Sequence, residues 1–140
     1  MPYIDTSVLA AYYCPEPLSD KAEKVLRAGP DIFISDLTEV ELASAVSRKV
    51  REKEIGASDA NKIFNQFQYH VAQQLYHYLP IDSSHFQMAR EWISGFTTPL
   101  RTLDGLHLAL AASNNTALIT ADQQLAQSAE YFGINVQLLN

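Results

Sequence analysis

The chain has 140 residues, a formal net charge of −6 and a single cysteine; 47% of its residues are hydrophobic and 19% charged. A chain of this size buries roughly two-thirds of the surface its unfolded form exposes, so one domain spanning residues 1–140 around one sizeable core is expected. The composition excludes a disordered or fibrous chain, and no apolar run approaches the roughly 20 residues of a membrane span.

Read in chain order, Met1 to Asp5 carry no basic stretch of a secretory leader. With Cys14 lacking an internal partner, a reducing, cytoplasmic setting is expected. Tyr3-Ile4 reads as a buried strand. Residues 19–28 read as a helix that opens on Ser19 and closes before Gly29-Pro30. Ile32-Phe33-Ile34 is a second buried strand. A helix over 38–54 would carry Val40, Ala43, Val46 (or Ser47) and Val50 on one stripe and stop at Gly56. A helix from 58 to about 75 places Ile63, Phe64, Phe67, Val71 and Leu75 on one face, as core. Tyr78-Leu79, Ala117-Leu118-Ile119 and Val136-Gln137-Leu138 complete the strands, and helices are expected at about 83–95, 103–113 and 123–132. Strands alternating with helices predict an α/β three-layer sandwich, its mostly parallel central sheet flanked by helices.

The acidic balance argues at first against a nucleic-acid partner, since phosphate binding leaves a basic footprint. Acids gathered around a cation lower the net charge without repelling a polyanion, which weakens the objection. Arg48, Lys49, Arg51 and Lys53 do cluster, but interleaved with Glu52 and Glu54 they read as a solvated helix face.

Four acids stand out by position. Asp5 ends the first strand, Glu41 lies in the first turn of the helix after the second strand, Asp104 opens a helix, and Asp122 follows the strand ending at Thr120. Each has an ordinary structural reading. Asp5 and Asp122 suit helix N-caps, Thr38 and Glu41 spell a Thr-x-x-Glu capping box, and Asp104 suits the positive end of a helix dipole. Together they read differently, because the crevice of an open α/β sheet lies where strands hand over to helices. Two carboxylates about 4 Å apart repel by about 4 kcal/mol at an effective dielectric near 20, so converging acids must take up protons or a cation. Hard oxygen ligands favour Mg2+ or Mn2+ over zinc. Glu39 reads as the solvent-facing neighbour of Glu41, and His107 as a packing or hydrogen-bonding residue. His70, His77 and His85 lack metal-ligand spacing.

Four blocks carry a resemblance. They are Tyr3-Ile-Asp-Thr-Ser-Val-Leu9, Ser35-Asp-Leu-Thr-Glu-Val-Glu-Leu-Ala43, Leu103-Asp-Gly-Leu-His-Leu-Ala-Leu-Ala111 and Leu118-Ile-Thr-Ala-Asp-Gln-Gln-Leu-Ala126. In this order and spacing the sequence resembles PIN-domain proteins, most of all the VapC toxins of bacterial and archaeal toxin–antitoxin pairs. The resemblance implies a metal-dependent endoribonuclease that hydrolyses RNA by activated water, with Asp5, Glu41, Asp104 and Asp122 around Mg2+ or Mn2+. Thr120 matches a supporting hydroxyl position. Arg101 is a candidate for RNA contact, with a surface-loop arginine the even alternative. The resemblance further implies a homodimer and a small cognate antitoxin; Tyr12, Tyr13, Trp92 and Phe96 suit either interfaces or core packing.

Other acid-rich α/β enzymes fit less well. A phosphotransferase of the haloacid-dehalogenase kind wants an aspartate where Ser7 stands, and no Gly-x-x-x-x-Gly-Lys loop is present. The alternative from another class is a PIN-like module that binds RNA or protein without cutting it.

Overall fold

The computed structural model describes residues 1–29 and 31–140; Pro30, part of the expected stop after the first long helix, lies outside them. The strands are β1 (Tyr3–Ile4), β2 (Ile32–Ile34), β3 (Tyr76–Tyr78), β4 (Leu118–Thr120) and β5 (Val136–Leu138). The helices are α1 (Thr6–Tyr13), α2 (Ser19–Ala28), α3 (Asp36–Arg51), α4 (Ala57–Ala72), α5 (Ser83–Ser94), α6 (Thr102–Ser113) and α7 (Gln123–Tyr131). All strand pairings are parallel, in the order β3-β2-β1-β4-β5.

Alternation along these short strands divides the interior in two. Ile4, Ile32, Ile34, Tyr76 and Ile119 point to the face covered by α1 to α4, where Val8, Leu9, Leu42, Val46, Ile63 and Phe67 pack. Tyr3 and Leu118 point to the other face, against Leu108, Leu110, Leu125 and Ala129 of α6 and α7. Both faces of a parallel sheet are thereby buried, giving three layers. Chain order reverses beside β1: β2 and β3 lie to one side, β4 and β5 to the other. Such a switch point leaves a crevice at the carboxyl ends of the two strands that flank it, here β1 and β4.

Some elements differ from the sequence expectation for identifiable reasons. α3 begins two residues earlier, because Ser35 is the N-cap and its N–H is taken by the Thr38 hydroxyl at 3.2 Å. Glu41 therefore lies in the second turn and takes no part in capping. The buried row of α3 is Thr38, Leu42 and Val46, whereas Val40 is 68% exposed and Ala43 also faces solvent. Leu42, only 1% exposed, lies at the centre of this row. α3 also ends before Gly56, with Lys53 at φ 60°, its N–H on the Val50 carbonyl and that of Glu54 on Lys49. The same paired closure, with a non-glycine residue in the left-handed region, ends α4 at Gln74 (φ 61°). Leu75 is thus outside the helix and exposed. β3 runs from Tyr76 rather than from Tyr78, since this half-buried edge strand carries His77 in its middle, bonded at 2.8 Å to Asp31. β4 is displaced by one residue so that Thr120 closes it, fully buried.

Candidate active site

Asp5 leaves β1 as the N-cap of α1 and is only 4% exposed. Its carboxylate accepts the Ser7 hydroxyl at 2.5 Å and the Thr120 hydroxyl at 2.6 Å, with the Val8 N–H more distant at 3.4 Å. Each hydroxyl also accepts from the chain leaving β4: Ser7 Oγ from the Ala121 N–H at 2.8 Å, and Thr120 Oγ1 from the Asp122 N–H at 3.0 Å. The two handovers at the switch point are stitched together by hydroxyls. Burial pushes the Asp5 carboxyl above its usual range, only partly offset by the His107 charge and by these bonds.

Glu41 reaches the site from α3. Its Oε1 accepts the Thr6 hydroxyl at 2.9 Å and is also bonded to His107 Nε2. Burial alone would raise this carboxyl; the bond and charge of His107, with the bond from Thr6, outweigh it and hold Glu41 below its ordinary value. The other ring nitrogen of His107 lies 2.6 Å from the Tyr3 hydroxyl, which meets Ser35 Oγ at 2.9 Å and Thr38 Oγ1 at 3.3 Å.

Asp104 lies in the first turn of α6, three residues before His107. Its carboxyl is pushed upward, chiefly by burial and then by the charge of Asp122, with Asp5 adding to the effect and Arg101 and His107 opposing it. Arg101 is mostly exposed, its Nε 3.7 Å from Asp104 Oδ2. Glu41 and Asp104 line one cleft of about 330 Å3 together with Arg101, Thr102 and Leu103. Asp122 caps α7, its Oδ1 accepting from the N–H groups of Gln124 at 2.9 Å and Leu125 at 3.2 Å.

The four acids are thus coupled through shared hydrogen bonds and charge. Among the described residues, however, no three His, Cys, Asp or Glu side chains already stand together as a metal cage. The donor chemistry suits a hard cation: carboxylate and hydroxyl oxygens, with the one neighbouring imidazole turned to Glu41 and Tyr3. Asp104 and Asp122 each keep oxygens without a protein donor among the described residues. A larger cavity of about 570 Å3 lies between α1, α2, α4 and β3 and contains no acid, so it holds nothing of this chemistry.

The capping readings of Asp5 and Asp122 hold alongside their places in the crevice, and Thr120 lies against Asp5. Glu39 is not a simple solvent-facing acid: it accepts the Tyr78 hydroxyl at 2.7 Å and the Gln68 amide at 3.1 Å. Leu103, beside Asp104 in the first turn of α6, is 44% exposed. Of the candidate interface aromatics, Tyr13 is buried and Trp92 stacks on Phe132 with centroids 5.1 Å apart, while Phe96 is 92% exposed. Sequence reasoning missed Thr6 and Ser7 as partners of the acids, and Tyr3 as the partner of His107. Only the proximity of Thr6 and Ser7 to Asp5 offered a signal.

The family model described as PIN domain matches residues 3–131. A protein called Ribonuclease VapC3, from Pyrobaculum aerophilum, is 26% identical over 125 residues, covering 89% of this chain and 91% of that one. FitAcB from Neisseria gonorrhoeae has a similar fold, with a TM-score of 0.74 at 19% identity over 97% of this chain and 96% of that chain. So does Mycobacterium tuberculosis VapC20, described as a Sarcin-Ricin loop cleaving toxin, with a TM-score of 0.71 at 13% identity over 91% of this chain and 95% of that chain. Among the described residues no helix is long and apolar enough to cross a membrane.

Proposed function

The chain belongs to the PIN-domain family, and we propose that it is a Mg2+- or Mn2+-dependent endoribonuclease acting through Asp5, Glu41, Asp104 and Asp122. The observation that carries this reading is that acids from separate sequence blocks meet at the switch point: Asp5 and Asp122 are linked through Thr120, Glu41 and Asp104 line one cleft, and the charges of Asp122 and Asp5 act on Asp104. The ribonuclease relative and the loop-cleaving toxin support RNA as the substrate.

A divalent cation held by these oxygens would supply Lewis acidity to the phosphodiester and a more nucleophilic water at neutral pH. The chain's own residues prepare the place. Ser7 and Thr120 fix the Asp5 carboxylate from both sides. Thr6 and His107 fix one oxygen of Glu41. Asp104 enters on a helix whose residues from Gly105 to Ala111 are all buried, so its first turn is rigidly presented. The Arg101 guanidinium is free to meet an RNA phosphate at the rim. The same reading makes the chain the toxin of a toxin–antitoxin pair, a homodimer held in check by a small cognate antitoxin.

A second reading, a module that binds RNA or protein without cutting, is favoured by one observation: the acids do not form a ready-made cage. Incubation of the purified chain with a mixed structured and single-stranded RNA pool separates the two. Cleavage that requires Mg2+ or Mn2+ and is lost in Asp104→Asn and Glu41→Gln is the expected result. Cleavage that persists in EDTA, or in both variants, would overturn the proposal.

A further inference from the structure

His107 is 2% exposed, and both its ring nitrogens have partners. A carboxylate only accepts, so the contact with Glu41 Oε1 places a hydrogen on His107 Nε2. Nδ1 stands 2.6 Å from the Tyr3 hydroxyl oxygen, so the ring is held between Tyr3 and Glu41. The Tyr3 hydroxyl in turn shares a hydrogen bond of 2.9 Å with the Ser35 hydroxyl. The row runs from the start of α3, through β1 and α6, back to the second turn of α3. Every member but the last is buried, and the last is Glu41. With Thr6 and His107 both on Oε1, Oε2 is the Glu41 oxygen without a protein donor among the described residues.

We propose that His107, backed by Tyr3, is a positioning residue: it holds Glu41 by Oε1 and so leaves Oε2 to the cleft shared with Asp104. This rests on the ribonuclease reading of that cleft. α6 delivers Asp104 itself and, one turn later, the imidazole that sets the orientation of Glu41, so two acids from distant parts of the chain are aligned by one helix. Outer partners of this kind fix tautomer and ligand orientation, and their loss typically costs 10–100-fold in metal affinity.

The test uses the full chain and two readouts other than activity. In the metal-free protein, imidazole nitrogen NMR should show His107 with its hydrogen on Nε2; a ring carrying it on Nδ1 alone would overturn the proposal. In calorimetric titration with Mn2+, Tyr3→Phe should raise the Kd about tenfold. Tyr78→Phe, which removes a tyrosine hydroxyl bonded to Glu39 elsewhere on α3, should leave the Kd unchanged. His107→Gln, which retains a donor near the Nε2 position, should bind Mn2+ more tightly than His107→Ala. Equal losses in Tyr3→Phe and Tyr78→Phe, or no loss in Tyr3→Phe, would make the row merely structural. A wild-type chain that binds no Mn2+ would instead remove the ribonuclease reading, while the tautomer measurement still reports on the row.

Discussion

Removing the charge of Asp104 should stabilise the metal-free protein. Asp104 is mostly buried, with side-chain exposure of 23%, and its nearest cation is Arg101 Nε at 3.7 Å on a side chain 78% exposed. Solvent screens such a pair, and pairs of this kind contribute at most about 1 kcal/mol. Against that stand burial and the charges of Asp122 and Asp5, which together raise the Asp104 carboxyl above its ordinary range. A group whose folded value is raised favours the protonated native state, so wild-type stability falls as pH rises from the unfolded value near 4 through the folded one. Asp104→Asn removes that loss. Gains from relieving a strained functional site are about 0.5–2 kcal/mol, which for a domain of this size corresponds to a Tm rise of about 2–6 °C. The assay is thermal unfolding in EDTA at pH 7 and again at pH 3.5. The gain should be present at pH 7 and absent at pH 3.5, and Mg2+ should stabilise the wild type more than the variant. A variant less stable than wild type at pH 7, or a gain that survives at pH 3.5, would refute the reasoning.

Asp122→Ala should behave oppositely, losing about 1 kcal/mol with the α7 cap while Asp122→Asn keeps it, as read by urea unfolding. Gln74→Gly, at φ 61° after α4, should add about 0.5–1 kcal/mol by relieving a left-handed non-glycine residue, measured by the denaturant midpoint. Gly105→Ala should lose about 1 kcal/mol in the same assay, because its Cβ would stand 3.2 Å from Ala89 Cβ and 3.3 Å from Ile93 Cδ1 where α5 and α6 meet. At high pH the buried tyrosines should govern unfolding. Burial raises Tyr3 and Tyr13, and pushes Tyr76 up to about 12. Stability should therefore be intact below pH 10 and fall between pH 10 and 12, with phenolate absorbance and loss of helical circular dichroism rising together.

Periodicity located α4, which buries Ile63 and Phe67 as expected; it missed α1, an eight-residue helix that buries Val8 and Leu9, and on α3 the buried row runs through Thr38 and Leu42 rather than Val40 and Ala43. The ends of α3 and α4 were misjudged because neither helix stops at a glycine. Lys53 and Gln74 adopt the left-handed cap themselves, and neither residue type announces it. β3 was misplaced because its apolar alternation is interrupted by His77, whose partner Asp31 comes from 46 residues away. The acids were legible for a similar physical reason to the elements: strand ends and helix starts leave local marks, as Asp5 and Asp122 do by capping. Their partners were not. His107 meets Glu41 across 66 residues and Tyr3 across 104, and nothing in the sequence around any of the three encodes that meeting.

The central claim is that the carboxylates serve a water attack on an RNA phosphodiester, and the ends of the cut RNA test it most directly. End-group analysis of RNA cleaved by the wild-type chain in Mg2+ or Mn2+ should find 5′-phosphate and 3′-hydroxyl termini. Cyclic 2′,3′-phosphates would show that the neighbouring ribose hydroxyl is the nucleophile, and would contradict the account.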